Sequence, residues 1–202
     1  MFTKKILKVV SVFFIFVLII IAGLAFLQRG DDSAPLKKNN DSDDYLIGIT
    51  KLASLGIIQG DENGDLNPDS MISRAEFVAI ICRILNCDDE TRGSDAEKYT
   101  NVSSSHWASG YIARASAMGI IEGYGNGKFG PSDSVTSIDA VKILIGVCGY
   151  TDLAEAEGGY PDGYLKAAKA LGIISERSDI SNEAATRWKV AALTYNALLS
   201  MK

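Results

Sequence analysis

A four-residue pattern occurs three times in this chain, and nothing else in it constrains the fold so tightly. Leu55-Gly56-Ile57-Ile58 returns as Met118-Gly119-Ile120-Ile121 and again as Leu171-Gly172-Ile173-Ile174. The first two copies continue in parallel: Gly60 matches Gly123, Asn63-Gly64 matches Asn126-Gly127, and Pro68 matches Pro131. The pattern glycines stand 63 and then 53 residues apart, and the longer gap holds an acidic insert around Asp88–Lys98. A period of this size marks supersecondary units that bury their apolar faces against one another.

Each copy reads as helix, turn-rich loop, helix. Apolar residues fall at helical spacing before the glycine: Ile49, Leu52 and Ala53, then Ile112 and Ala115, then Leu165 and Ala168. Gly56, Gly119 and Gly172 stand where a helix must turn left-handed to stop, and the isoleucine after each supplies the apolar contact that accompanies such caps. The second helix of copy one is amphipathic, with Ala75, Val78, Ala79, Cys82 and Leu85 on one face. The chain is therefore expected to be all-α.

The first 27 residues differ from the rest. Lys4, Lys5 and Lys8 precede an apolar run from Val9 to Leu27, broken only by Ser11 and Gly23. At about 1.5 Å per residue the run approaches the roughly 30 Å of a bilayer core. It reads either as a signal peptide cut after Ala25 or as an uncleaved membrane anchor; in both cases the remainder is exported. A polar linker follows over 28–43. Beyond residue 27 the chain has 17 basic and 25 acidic residues, a net charge of −8. That balance argues against nucleic acid and anionic lipid as the main partner.

Other motifs offer little chemistry. Cys82, Cys87 and Cys148 are odd in number and lack the spacing of a zinc site; Cys82 and Cys148 fall on apolar faces, as small buried hydrophobes do. Asp61-x-Asn63-x-Asp65-x-Asn67 suggests calcium but has Leu66 and Ile72 where an EF-hand loop needs Gly and Glu, so it reads as a solvated turn. His106, the one histidine, has no catalytic partner motif and is expected at the surface. The chain is expected not to be an enzyme and to need no cofactor or metal.

Ser73-x-x-Glu76 is a capping box, and Thr136-x-x-Asp139 nearly one. That accounts for the hydroxyl and the carboxylate. It leaves Arg74 at a first helical position, where the macrodipole disfavours a cation by about 0.3–1 kcal/mol. Arg187 repeats the placement. Such an arginine either grips an anionic ligand, with two parallel bonds to a carboxylate, or pairs with a neighbouring acidic side chain. Trp107 reads as core, the commoner fate of an aromatic at a helix start, or as a sugar platform. Trp188 reads as core.

Taken together these residues resemble the S-layer homology family. Copy two supplies Tyr99-Thr100-Asn101-Val102, Trp107-Ala108, Gly119-Ile120-Ile121-Glu122-Gly123 and Gly127-Lys128-Phe129-Gly130-Pro131; copy one supplies Gly56 through Pro68 and Ser73-Arg74-Ala75-Glu76. Copy three is eroded, with a loop about three residues shorter. The resemblance implies three repeats, at 44–88, 99–150 and 159–202, around a pseudo-threefold central bundle. It also implies attachment to an anionic secondary cell-wall polysaccharide, often pyruvylated, on a Gram-positive-type envelope. With an uncleaved anchor the module would bridge membrane and wall. Carried over residue by residue, the glycan-binding candidates are Arg74, Arg187, Trp107, Glu76 and Tyr160. Copy two departs at the key place, with Ser137 where the family has arginine, and copy one has Asp44 where it has tryptophan. At most two grooves are complete. The alternative is a membrane-tethered structural or protein-interaction domain whose grooves have decayed.

Overall fold

The structure, a computed structural model, describes residues 41–87 and 98–201. It contains helices α1 Asp41–Ser54, α2 Arg74–Ile84, α3 Ser109–Ala117, α4 Ser137–Val147, α5 Thr151–Ala156, α6 Asp162–Ala170 and α7 Arg187–Ser200. Strand-like pairing among the described residues is confined to three isolated bridges, so the fold is all-α as expected. Helix α1 starts inside the expected linker, ahead of residue 44. The apolar run Val9–Leu27 lies outside the described residues, among which no helix is long and apolar enough to cross a membrane.

Helices α1, α3 and α6 open three similar units, and α2, α4 and α7 close them. Each opening helix ends as its glycine predicts. Gly56, Gly119 and Gly172 have φ of 69°, 71° and 72°. Their N–H groups bond the carbonyls of Ala53, Ser116 and Lys169, and the next isoleucine bonds Leu52, Ala115 and Ala168, which is a Schellman cap three times over.

The closing helices begin at Ser73, Thr136 and Thr186. Ser73 forms the full capping box: its Oγ accepts the Glu76 N–H at 3.2 Å, and Glu76 Oε2 accepts the Ser73 N–H at 2.8 Å. Thr136 accepts the Asp139 N–H, whereas Thr186 makes no side-chain cap bond. The orphan N–H groups of each first turn are met by the next unit's loop. Arg74 and Ala75 bond the carbonyls of Asp133 and Pro131; Ser137 and Ile138 bond Glu183 and Ser181; Arg187 and Trp188 bond Ser70 and Pro68.

One residue ahead of each cap, the chain closes a ring. Ile72 N–H bonds Ala185 O at 3.0 Å, Ala185 N–H bonds Val135 O at 2.9 Å, and Val135 N–H bonds Ile72 O at 3.0 Å. All three residues are buried. This is a pseudo-threefold centre, with one residue from each unit. Helix packing follows the same rotation, α3 on α2, α6 on α4 and α1 on α7. The core holds Leu52, Phe77, Ile81, Ile112, Leu144 and Ile173, each contributing roughly 1.5–3 kcal/mol by burial. Cys82 is fully buried; Cys148 is half-buried, and burial pushes its thiol pKa up. The short α5 was not anticipated. It packs against α4 and α6, and the absence of a side chain at Gly163 lets Ala154 approach closely.

Candidate functional site

The rotation places the first residue of each closing helix against the following unit's loop. Arg187 occupies this place in α7 and reaches the loop of the first unit. Its Nε donates to Leu66 O at 2.8 Å, Nη2 to Gln59 O at 2.9 Å, and Nη1 to Glu76 Oε1 at 2.8 Å. Glu76 Oε2 meanwhile accepts both the N–H and the hydroxyl of Ser73. The seam continues through Gln59, whose Oε1 accepts from Arg83 at 3.1 Å. The Arg83 guanidinium lies 5.6 Å from the Tyr111 ring centre, and Tyr111 meets Trp107 edge-on at 6.3 Å.

Arg74 begins α2 and repeats the clamp on the second unit's loop. Its Nε donates to Phe129 O at 3.0 Å and its Nη2 to Glu122 O at 2.9 Å. The guanidinium carbon is 4.6 Å from the ring centres of both Tyr124 and Phe129. Such contacts contribute about 0.5–2 kcal/mol each. Nη1 has no hydrogen-bond partner among the described residues. The residue equivalent to Glu76 is Asp139. One methylene shorter, it accepts the Tyr160 hydroxyl at 3.1 Å instead of an arginine. Tyr160 meets Tyr164 edge-on at 6.2 Å, close to the spacing of Trp107 and Tyr111. A small crevice lies beside Arg74, lined also by Phe77, Ile121 and Phe129.

The tyrosines of this seam hold their protons tightly. Burial raises the pKa of Tyr160, and the Asp139 carboxylate adds to it. Burial likewise raises that of Tyr124, with Arg74 opposing. Tyr164 donates to Glu155 at 2.8 Å, and burial together with that carboxylate pushes it up to about 12.

The third seam is closed. Ser137 stands in the arginine's place, buried, and exchanges two 2.9 Å bonds with the backbone of Ser181. Gly48 stands where the other units carry Tyr111 and Tyr164. A Cβ there would lie 2.9 Å from Ala192 Cα, so α1 approaches α7 backbone to backbone. An arginine at Ser137 has no room unless the 171–186 loop moves.

Residues 39–78 and 98–140 match the S-layer homology domain. Those two segments carry the S-layer homology signature. It is 27% identical over 197 residues to a "Cell surface protein" of Thermoanaerobacter kivui, covering 96% of this chain and 24% of that protein. It is 29% identical to the "Middle cell wall protein" of Brevibacillus brevis, over 74% of this chain and 14% of the relative. A "Surface layer protein" of Brevibacillus choshinensis is 29% identical over 62% of this chain and 11% of its own length. The chain thus spans a quarter or less of these relatives.

Two S-layer homology matches correspond to the first two structural units; the third unit, α6 to α7, lies outside them. The five candidate residues fall on two seams. Arg187 and Glu76 are in direct contact, and Trp107 is linked to them through Gln59, Arg83 and Tyr111. Arg74 and Tyr160 belong to the other. Neither arginine needs a ligand to be tolerated at a helix start, because neighbouring carbonyls accept its protons. The core reading of Trp107 is corrected: the side chain is 58% exposed, with His106 stacked on it. Helix α3 buries Ile112 and Ala115 instead, which leaves its first residues on the rim. Trp188 is half-buried rather than core. His106 is half-buried and its Nδ1 accepts the Ala108 N–H at 3.1 Å, so it helps to start α3. Asp61 anchors an Asx turn, accepting from the N–H groups of Asn63 and Asp65. Hydrogen bonds, that from Asn67 first, hold its pKa below the usual carboxylate value. Sequence reasoning missed Tyr124, Asp139 and the Gln59–Arg83 link. Tyr124 follows the repeated Gly123, where the first copy has Asp61, and that substitution within an aligned repeat was an available signal.

Proposed function

We propose that this chain is a non-catalytic module that attaches non-covalently to an anionic polysaccharide of the cell wall. It works outside the cytoplasm, at the wall, where its relatives' names place them. α6 to α7 serves as a third S-layer homology repeat, degenerate in sequence but needed to complete the ring. The observation that carries the reading is the Arg74 seam. A guanidinium whose Nη1 has no hydrogen-bond partner among the described residues is bordered by Tyr124, 60% exposed, and Asp139 of the second unit holds Tyr160 of the third, 45% exposed. A charged fork beside exposed rings suits a sugar bearing a carboxylate such as a pyruvate ketal: the fork takes the acid and the rings take the apolar sugar faces.

The closed third seam favours a second reading, an interaction domain that has lost its glycan sites. Sedimentation with purified walls separates the two. The glycan reading expects the protein to pellet with intact walls and to stay in solution once the secondary polymer is stripped; equal pelleting with both would reject it. The apolar run Val9–Leu27 adds a bridging role, with the membrane as the anchored body. Bridging requires intact mass to include residues 1–25 and the protein to fractionate with membranes. A chain starting at Phe26 and released with the wall would contradict it.

A further inference from the structure

The two arginine seams differ in one feature that decides whether each can take a ligand. At the Arg187 seam all three guanidinium nitrogens are engaged: Nε on Leu66 O, Nη2 on Gln59 O, and Nη1 on the Glu76 carboxylate at 2.8 Å. Glu76 is fixed by its own helix, because Oε2 accepts two bonds from Ser73 at 2.8 and 2.7 Å. The Arg187 side chain is 11% exposed. At the Arg74 seam the same two loop carbonyls are bound, by Nε and Nη2, but Asp139 takes the Tyr160 hydroxyl and Nη1 is left with no partner among the described residues.

We infer that Glu76 is an internal occupant of the Arg187 seam, a carboxylate standing where a ligand's acid group would bind, so that of the two seams the Arg74 seam is the one open to an anion. This rests on the glycan reading above and adds to it which seam is used and which residue decides. The Glu76 carboxylate is present at an effective concentration of roughly millimolar or higher, as for any group tethered at short range. A single sugar acid of comparable intrinsic affinity does not displace it. The acidic side chains of the two seams differ by one methylene, Glu76 against Asp139. A glutamate reaches both the cap and the neighbouring arginine, and the aspartate does not.

The test is titration calorimetry of the purified protein with a synthetic monosaccharide glycoside carrying one pyruvate ketal. The parent protein is expected to bind one equivalent. Glu76→Asp, which copies the second unit into the first, is expected to add a second site, and Arg187→Gln in that background to remove it. The reciprocal Asp139→Glu is expected to weaken the parent's site by roughly tenfold or more, the loss of one charge-assisted hydrogen bond. Glu76→Gln is an independent route to the second site. Its single amide oxygen can serve the Ser73 cap while its NH₂ faces Arg187 without accepting from it. Two equivalents bound by the parent, or one by both Glu76 variants, would overturn the inference and leave the glycan reading standing. No binding by the parent or any variant would remove the glycan reading and the inference with it.

Discussion

Arg74 and Arg187 hold the units together as well as facing any ligand, and substitutions there act on both. Arg187→Ala strips three hydrogen bonds and leaves Glu76 without its cation, so a loss of about 2–3 kcal/mol is expected. Arg74→Ala strips two bonds and no ion pair, for about 1–2 kcal/mol. Urea unfolding of both variants checks the order; equal midpoints with the parent would show that the clamps contribute nothing. From sequence, removal of either side chain is expected to spare stability, because their partners lie 55 and 121 residues away and no local rule reveals them. The capping box at Ser73 and Glu76 was legible because all its atoms lie within one turn. Tyr164 supplies a pH test. Its folded pKa of about 12 lies above the ordinary value near 10, so the folded state holds the proton more tightly. Its contribution is complete below about pH 10 and is lost as pH rises through 12. Stability in alkali should fall less steeply in Tyr164→Phe than in the parent; parallel curves would contradict the assignment.

At the scale of the element, the repeated glycines divide into two kinds. Gly119 ends α3 at φ 71° with nothing within 4 Å of an added Cβ, so Gly119→Ala costs backbone strain alone, about 1–2 kcal/mol. At Gly123 an added Cβ would collide with Lys128 O and lie 2.6 Å from the Tyr99 ring, in the loop that presents Glu122 O to Arg74. Gly123→Ala should destabilise more than Gly119→Ala and also reduce wall retention. Matching thermal melts and retention for the two variants would show that loop shape does not govern the seam. The helices and their caps could be read from spacing and glycine placement. Helix α5 could not, since Thr151–Ala156 is only one and a half turns long and is stabilised by packing on α4 and α6 rather than by its own pattern.

Across the whole molecule, the bonds among Ile72, Val135 and Ala185 make the three units interdependent. The repeat pattern foretold three helix-loop-helix units, and the family resemblance implied their rotation; neither could foretell that Ser137 and Gly48 close one seam, because both are judged only against the residues that face them. Removing 159–202 would take away α6 and α7, open the ring and uncover the face of α1 that packs on α7. That truncation should lose cooperative unfolding, as followed by circular dichroism; a sharp transition would show that two units suffice. The claim on which the account turns is that the wall polymer binds at the Arg74 seam, where the first unit's closing helix meets the second unit's loop and Asp139 holds Tyr160 of the third. Hydrogen exchange of the protein with and without purified secondary polymer tests it most directly. Protection is expected in the 122–130 loop and around Tyr160, with the 171–186 loop at the closed seam unchanged. Protection confined to that closed seam, or none anywhere on a protein that pellets with walls, would contradict it.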